Sequence, residues 1–109
     1  MGEPLDIDAV QARLQQFAVA RDWERFHNPK NLAVAAAVEV AELLELFQWL
    51  DADEVAAVGE SPEQRDRIAE EIADVLIYLL RLADIVGVEV ADALTAKIEK
   101  NELRFPPGN

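Results

Sequence analysis

Cysteine is absent from the 109 residues, so the fold has neither a disulfide framework nor a thiolate zinc site, which fits a reducing, cytoplasmic setting. Bases are scarce as well: Lys and Arg number 10 against 22 Asp and Glu, a formal net charge of -12. That deficit leaves no broad cationic footprint for a phosphate backbone and argues against a DNA- or RNA-binding role. A polyanionic ligand would need a cation brought from outside. Also missing is any uncharged apolar stretch near the roughly 20 residues that span a bilayer, so no membrane partner is expected. The opening Met1-Gly2-Glu3-Pro4-Leu5-Asp6 lacks the basic start and apolar run of a secretion signal, and export is not indicated.

Glycine (4) and proline (5) are few and fall at the ends or between periodic segments, which points to a small number of long helices. The hydrophobic fraction of 51% is high enough to build a core despite the charge, unlike a disordered acidic segment. Residues 1–109 are therefore read as a single all-α domain of four helices. Val10, Leu14, Phe17 and Val19 recur at roughly helical spacing and place the first helix over about Leu5 to Asp22. A polar, aromatic-rich connection follows from Arg21 to His27. Asn28-Pro29 reads as a cap and a first-turn proline, starting a second helix that runs to about Leu50. Asp51 to Glu60, with its acids, alanines and Gly59, reads as a loop. Ser61-Pro62-Glu63-Gln64 then caps a third helix that Gly87 stops. The fourth runs from about Glu89 to Leu103, with Val90, Leu94 and Ile98 on one side. No segment has the alternation of a strand, and there is no internal repeat.

Most of the acids need no role beyond keeping an acidic helical protein soluble. Two groups resist that reading. Between Ala33 and Leu50 the only charged residues are Glu39, Glu42 and Glu45. Glu39 and Glu42, three apart, share a helix face, and Glu45 drifts further round it. Glu71 and Asp74 repeat the spacing in the third helix, in the run Glu71-Ile72-Ala73-Asp74-Val75-Leu76-Ile77-Tyr78-Leu79-Leu80. Helices this apolar are expected to be buried nearly all round, so these acids sit in or beside a core. Removing a carboxylate from water costs several kcal/mol unless it is paired, and four together cost more. Arg81 and Lys30, the nearest bases, are too few and badly phased to neutralise both pairs. A divalent cation such as Mg²⁺, which prefers carboxylate oxygen, does so with fewer parts. The alternative is an oligomer interface where a neighbouring chain supplies Lys or Arg.

Glu39-x-x-Glu42 followed by Glu71-x-x-Asp74 resembles the metal-binding signature of the all-α MazG-like nucleoside triphosphate pyrophosphohydrolases. The stretch Arg21-Asp22-Trp23-Glu24-x-Phe26-His27-x-Pro29-x-Asn31-Leu32 looks like the dCTP pyrophosphatase branch. So do Glu45-Leu46-Phe47-Gln48-Trp49 and Asp74-Val75-Leu76-Ile77-Tyr78-Leu79. The likeness extends from about Leu14 to Pro106. It implies a four-helix MazG-like fold whose helices pack in a homo-oligomeric bundle, a homodimer or homotetramer with pockets formed partly between chains. Helices apolar on more than one side give an independent reason to expect such an assembly.

The reaction implied is attack of water on the α-phosphorus of a nucleoside triphosphate, giving monophosphate and pyrophosphate, with Mg²⁺ as cofactor and Mn²⁺ as substitute. Matching position makes Glu39, Glu42, Glu71 and Asp74 the metal ligands and the catalytic set. Glu45 and Glu70 are weaker candidates for outer support or for the water. The resemblance also implies that Trp23, Trp49 and Tyr78 help form a nucleoside pocket, where aromatic stacking on a base is a plausible role. Trp49 and Tyr78 also fit core positions at helical spacing. His27 either contacts substrate or packs the turn beside Asn28-Pro29. Lys97, Asn101 and Arg104, at spacings of four and three, share a face of the fourth helix and suit phosphate contacts. Arg104 also suits the role of a dipole partner in a last helical turn. Phe105 stands where relatives often carry tyrosine. A di-iron bundle would want Glu-x-x-His pairs, which the single His27 cannot supply. Two further readings stay open: a non-enzymatic acidic adaptor docking on a basic partner, and a phosphoribosyl-ATP pyrophosphatase-like activity.

Overall fold

All the α-helices but the last begin where a short polar side chain satisfies an amide that has no intrahelical partner. The computed structural model describes residues 2–108. Asp6 accepts from the amide of Ala9 at 3.0 Å and starts α1, Ile7–Ala20. Asn28 accepts from Asn31 at 2.8 Å and, with Pro29 in the first turn, starts α2, Pro29–Glu45. Ser61 and Pro62 do the same for α4, Pro62–Val86, whose 25 residues extend about 37 Å. Gly87 closes α4 in the left-handed conformation, φ 77°, and its amide and that of Val88 both return to the carbonyl of Ala83. The last helix, α5, covers Val90–Arg104. No strand occurs among the described residues.

Two expected element bounds need correction. The segment from Asp51 to Glu60 is not a loop: it holds α3, Ala52–Ala57, and a 3-10 turn, Val58–Glu60. Asp51 and Glu54 form a reciprocal capping box there, with the Glu54 amide to Asp51 at 2.8 Å and the Asp51 amide to Glu54 at 3.1 Å. The second helix stops at Glu45 rather than Leu50. Beyond it the amides of Leu46, Phe47 and Leu50 bond to the third residue before them, which tightens the chain into turns.

A turn after α1 sets up the site. Asp22 lies at φ 56°, a left-handed conformation that Asp tolerates better than most residues. The amides of Arg21 and Trp23 return to the carbonyl of Ala18, and a 3-10 turn, Glu24–Phe26, follows. The reversal brings Trp23 edge-on to Phe17, with ring centroids 5.5 Å apart.

The principal packing is α2 against α4, with α1 laid on α4. Leu32, Ala36, Ala18 and Leu80 are buried. Contrary to expectation, α2 is not buried all round within one chain. Leu32, Ala36, Glu39 and Leu43 follow the stripe facing α4, while Val34, Val38, Val40 and Leu44 remain exposed. Helix α5 buries no residue, and Leu94, Ile98 and Leu103 lie open along it. The accessible surface of 8670 Å² far exceeds the about 6,000 Å² of a folded monomer of this mass. No described helix is long and apolar enough to cross a membrane.

Candidate metal and nucleotide site

The seam between α2 and α4 carries the acids inward. Glu39 lies a turn beyond the buried Ala36 on the contact stripe of α2, and Glu71 lies between Ile68 and Val75 on that of α4. Both are half-buried, and Glu42, the third member of the group, is exposed. One carboxylate oxygen from each of Glu39, Glu42 and Glu71 falls within 4.8 Å of the other two. Glu39 Oε2 and Glu71 Oε2 are sealed from solvent and have no hydrogen-bond partner. Buried oxygens are rarely left in that condition, and each such group asks for a proton, a water or an ion.

Titration follows from that crowding. Removal from water, proton sharing with Glu42 and repulsion from Glu42 and Asp74 push Glu39 up to about 7. Glu71 is raised as well, first by desolvation and then by the charges of Glu42 and Asp74, and a proton shared from Glu39 opposes that rise. Crowded carboxylates accept but cannot donate to one another, so the group favours taking up a proton or a cation. The donor set is all hard oxygen, and the orphaned pair on Glu39 and Glu71 fits a divalent cation that would replace that proton. Asp74 is half-buried close enough to repel both glutamates, which brings the four expected ligands into one region. Glu70 is exposed, and Glu45 borders a different cavity.

Next to the acids, a cavity of about 440 Å³ opens between α1, the turn after it and α4. Phe17, Trp23, His27, Asp74, Tyr78 and Arg81 are among its walls. Asp74, Tyr78 and Arg81, at spacings of four and three, follow one face of α4 for about 10 Å. Asp74 therefore lines this cavity while its charge acts on Glu39 and Glu71, although its carboxylate is not among the three that lie within 4.8 Å of one another. At the other end His27 accepts at Nδ1 from Arg81 Nε, 3.2 Å away, which leaves Nε2 as the protonated nitrogen of a neutral ring. Desolvation and the adjacent guanidinium hold the His27 pKa below its ordinary 6.5.

Trp23, His27 and Tyr78 are thus brought together with Asp74. The remaining expected contacts are not brought there within one chain. Trp49 is 85% exposed and borders a separate cavity of about 260 Å³ with Glu45, Gln64 and Arg67. Lys97, Asn101 and Arg104 ride on the exposed α5, where the Arg104 guanidinium lies over the Phe105 ring at 5.0 Å.

Arg81 was the residue missed. It forms no ion pair with Glu39, Glu42, Glu71 or Asp74. It is 4% exposed, the one buried charged residue among those described, and bonds to His27 and to Gln15 Oε1. The signal was available: between Asp74 and Asp84 it is the only charge in an apolar run, the pattern that singled out the acids.

Residues 34–107 match the MazG-like family. Over 91 residues the chain is 46% identical to dCTP pyrophosphatase 1 of Homo sapiens and 44% identical to that of Bos taurus. These matches take in 84% of this chain and 54% of each relative, so the chain spans about half the length of the curated relatives it matches. Among solved structures, a pyrophosphatase from Archaeoglobus fulgidus superposes with a TM-score of 0.86 at 42% identity, covering 98% of both chains.

Proposed function

We propose that this chain, which belongs to the MazG-like family, is a metal-dependent nucleoside triphosphate pyrophosphohydrolase that converts dCTP, or a modified pyrimidine deoxynucleotide, to its monophosphate and pyrophosphate. The observation that carries the reading is the pair of sealed, unpartnered oxygens on Glu39 and Glu71, set in an acid cluster close to Asp74, which lines an aromatic-walled cavity. The names of the relatives, dCTP pyrophosphatase and pyrophosphatase, point the same way.

Glu39, Glu42, Glu71 and Asp74 hold Mg²⁺, with Mn²⁺ as a substitute. When bound, the ion neutralises triphosphate charge and lowers the pKa of water. A carboxylate oxygen of the cluster left free orients the attacking water and accepts its proton. Trp23 and Tyr78 offer ring faces to the base, and neutral His27 offers an Nε2 proton. The dimensions fit, since the cavity lies within the usual range for small-molecule sites.

Trp49, Lys97, Asn101 and Arg104 complete the pocket from a neighbouring chain of a homodimer or homotetramer. Support comes from the apolar side chains left open on α2 and α5, and from a surface area well beyond that of a closed monomer. Phosphate oxygens of the substrate meet Lys97 and Arg104 there, and Asn101 both donates and accepts. The activity is housekeeping of the nucleotide pool.

Incubation with a panel of deoxy- and ribonucleoside triphosphates, with Mg²⁺ and with chelator, tests this reading by separation of products. Monophosphate and pyrophosphate from dCTP, only with Mg²⁺, is the expected result. Their absence across the panel would overturn it.

A further inference from the structure

A buried guanidinium is costly unless its donors are met. Arg81 is met only in part. Nε donates to His27 and Nη1 to Gln15, both neutral, and the closest carboxylate, Asp84, stands 3.7 Å from Nη1, beyond hydrogen-bond distance. Nη2 has no acceptor among the described residues, yet it is not among the polar atoms sealed from solvent. Arg81 is 4% exposed and lines the aromatic cavity, so Nη2 is the amino group left to donate to a ligand there. The wall is otherwise mainly apolar, with Leu14, Phe17, Trp23 and Ile77 around it, and Asp74 marks the opposite end about 10 Å away. A ligand that reaches the acids with its phosphates would present the far edge of its base to Arg81.

We propose that Arg81 is a specificity-determining residue whose Nη2 group donates to adjacent acceptor atoms on the edge of the bound base, selecting cytosine over thymine and uracil. The inference rests on the cavity being the nucleoside pocket of the proposed activity. Cytosine offers O2 and N3 side by side as acceptors. Thymine and uracil carry a proton on N3, which would face another donor and leave a buried N–H unpaired, the situation that binding sites reject most strongly. Gln15 and His27 occupy other donors of the same guanidinium, so the direction of Nη2 is set before the base arrives. Gln15 is in this sense a positioning residue, itself held by a contact from its Nε2 to Glu24 at 3.5 Å.

The test compares kcat/KM for dCTP, dTTP, dUTP and dGTP in wild type, Arg81→Lys, Arg81→Met and Gln15→Met, with helicity verified by circular dichroism. The wild type is expected to prefer dCTP over dTTP. Each variant should reduce that ratio, on the order of tenfold for Arg81→Met, mostly through KM for dCTP, as loss of hydrogen bonds from a charged donor requires. Lysine keeps the charge but not the fork. Gln15→Met leaves Arg81 in place and keeps the test available if removing the guanidinium prevents folding. Equal losses on dCTP and dTTP, or an unchanged ratio, would mean that Arg81 only supports the fold and would overturn the inference. Guanine presents its own acceptor pair, O6 and N7, so a wild-type preference for dGTP would overturn the assignment to cytosine. If the wild type cleaves no triphosphate, the activity fails separately, and calorimetric binding of dCMP against dTMP without metal decides the role of Arg81. A dCMP preference lost in Arg81→Met supports it, and no wild-type preference refutes it.

Discussion

Crowding of Glu39, Glu42 and Glu71 makes the stability of the metal-free protein depend on pH near neutrality. Because the folded-state pKa of Glu39 is raised to about 7 and that of Glu71 is raised too, the folded state binds more protons than the unfolded one. Stability must then fall as the pH rises through that range. His27, with its lowered pKa, acts in the opposite sense below 6.5, so the effect is cleanest above it. Thermal melts from pH 6.5 to 8.5 should show a falling midpoint without metal, and Mg²⁺ should remove the fall while raising the midpoint throughout. A metal-free midpoint that rises over this range would contradict the assignment. Glu42→Gln should reduce turnover by roughly 10–100-fold or more and leave the circular dichroism unchanged. Glu39→Gln should stabilise the metal-free protein at pH 8 and abolish its response to Mg²⁺, a combination that plain structural damage does not produce. Glu39 and Glu71 were legible in the sequence because a charge in an otherwise apolar helical run has few innocent explanations. Arg81 obeyed the same rule and was missed because it was weighed only as a partner for acids on its own helix. Its actual partners lie 54 and 66 residues away.

At the level of elements, the starts of α2 and α4 were legible because Asn28-Pro29 and Ser61-Pro62 are local signals that owe nothing to tertiary contacts. Gly87 was legible for the same reason. Its φ of 77° predicts that Gly87→Ala costs about 1–2 kcal/mol, a midpoint loss of about 4–8 °C per kcal/mol for a chain of this size. Gly59→Ala should be close to neutral, since Gly59 has no positive φ and a Cβ there would meet nothing within 4 Å. Equal effects of the two substitutions in thermal melts would refute the argument. The six residues of α3 are too few for periodicity to reveal. The capping box of Asp51 and Glu54 was the readable sign. The end of α2 was misplaced by five residues because its apolar pattern continues through Leu46 and Phe47 while the backbone tightens into turns.

For the whole molecule, the radius of gyration of 16.9 Å exceeds the about 13 Å of a compact chain of this length. Helix α5 projects without a packed face and carries Leu94, Ile98 and Leu103. Analytical ultracentrifugation should therefore give a mass two or four times 12.1 kDa, and Ile98→Asp should lower it. A wild-type monomer at micromolar concentration would contradict the proposed assembly. The placement of Trp49, Lys97, Asn101 and Arg104 could not be read from the sequence. Helical spacing says which residues share a face but not what that face meets. The central claim, that the acid cluster directs water to the α-phosphorus of a nucleoside triphosphate, is tested most directly by hydrolysis of dCTP in ¹⁸O-labelled water with Mg²⁺. The account predicts dCMP carrying the label and unlabelled pyrophosphate. Label in the pyrophosphate, release of dCDP and phosphate, or no cleavage at all would contradict it.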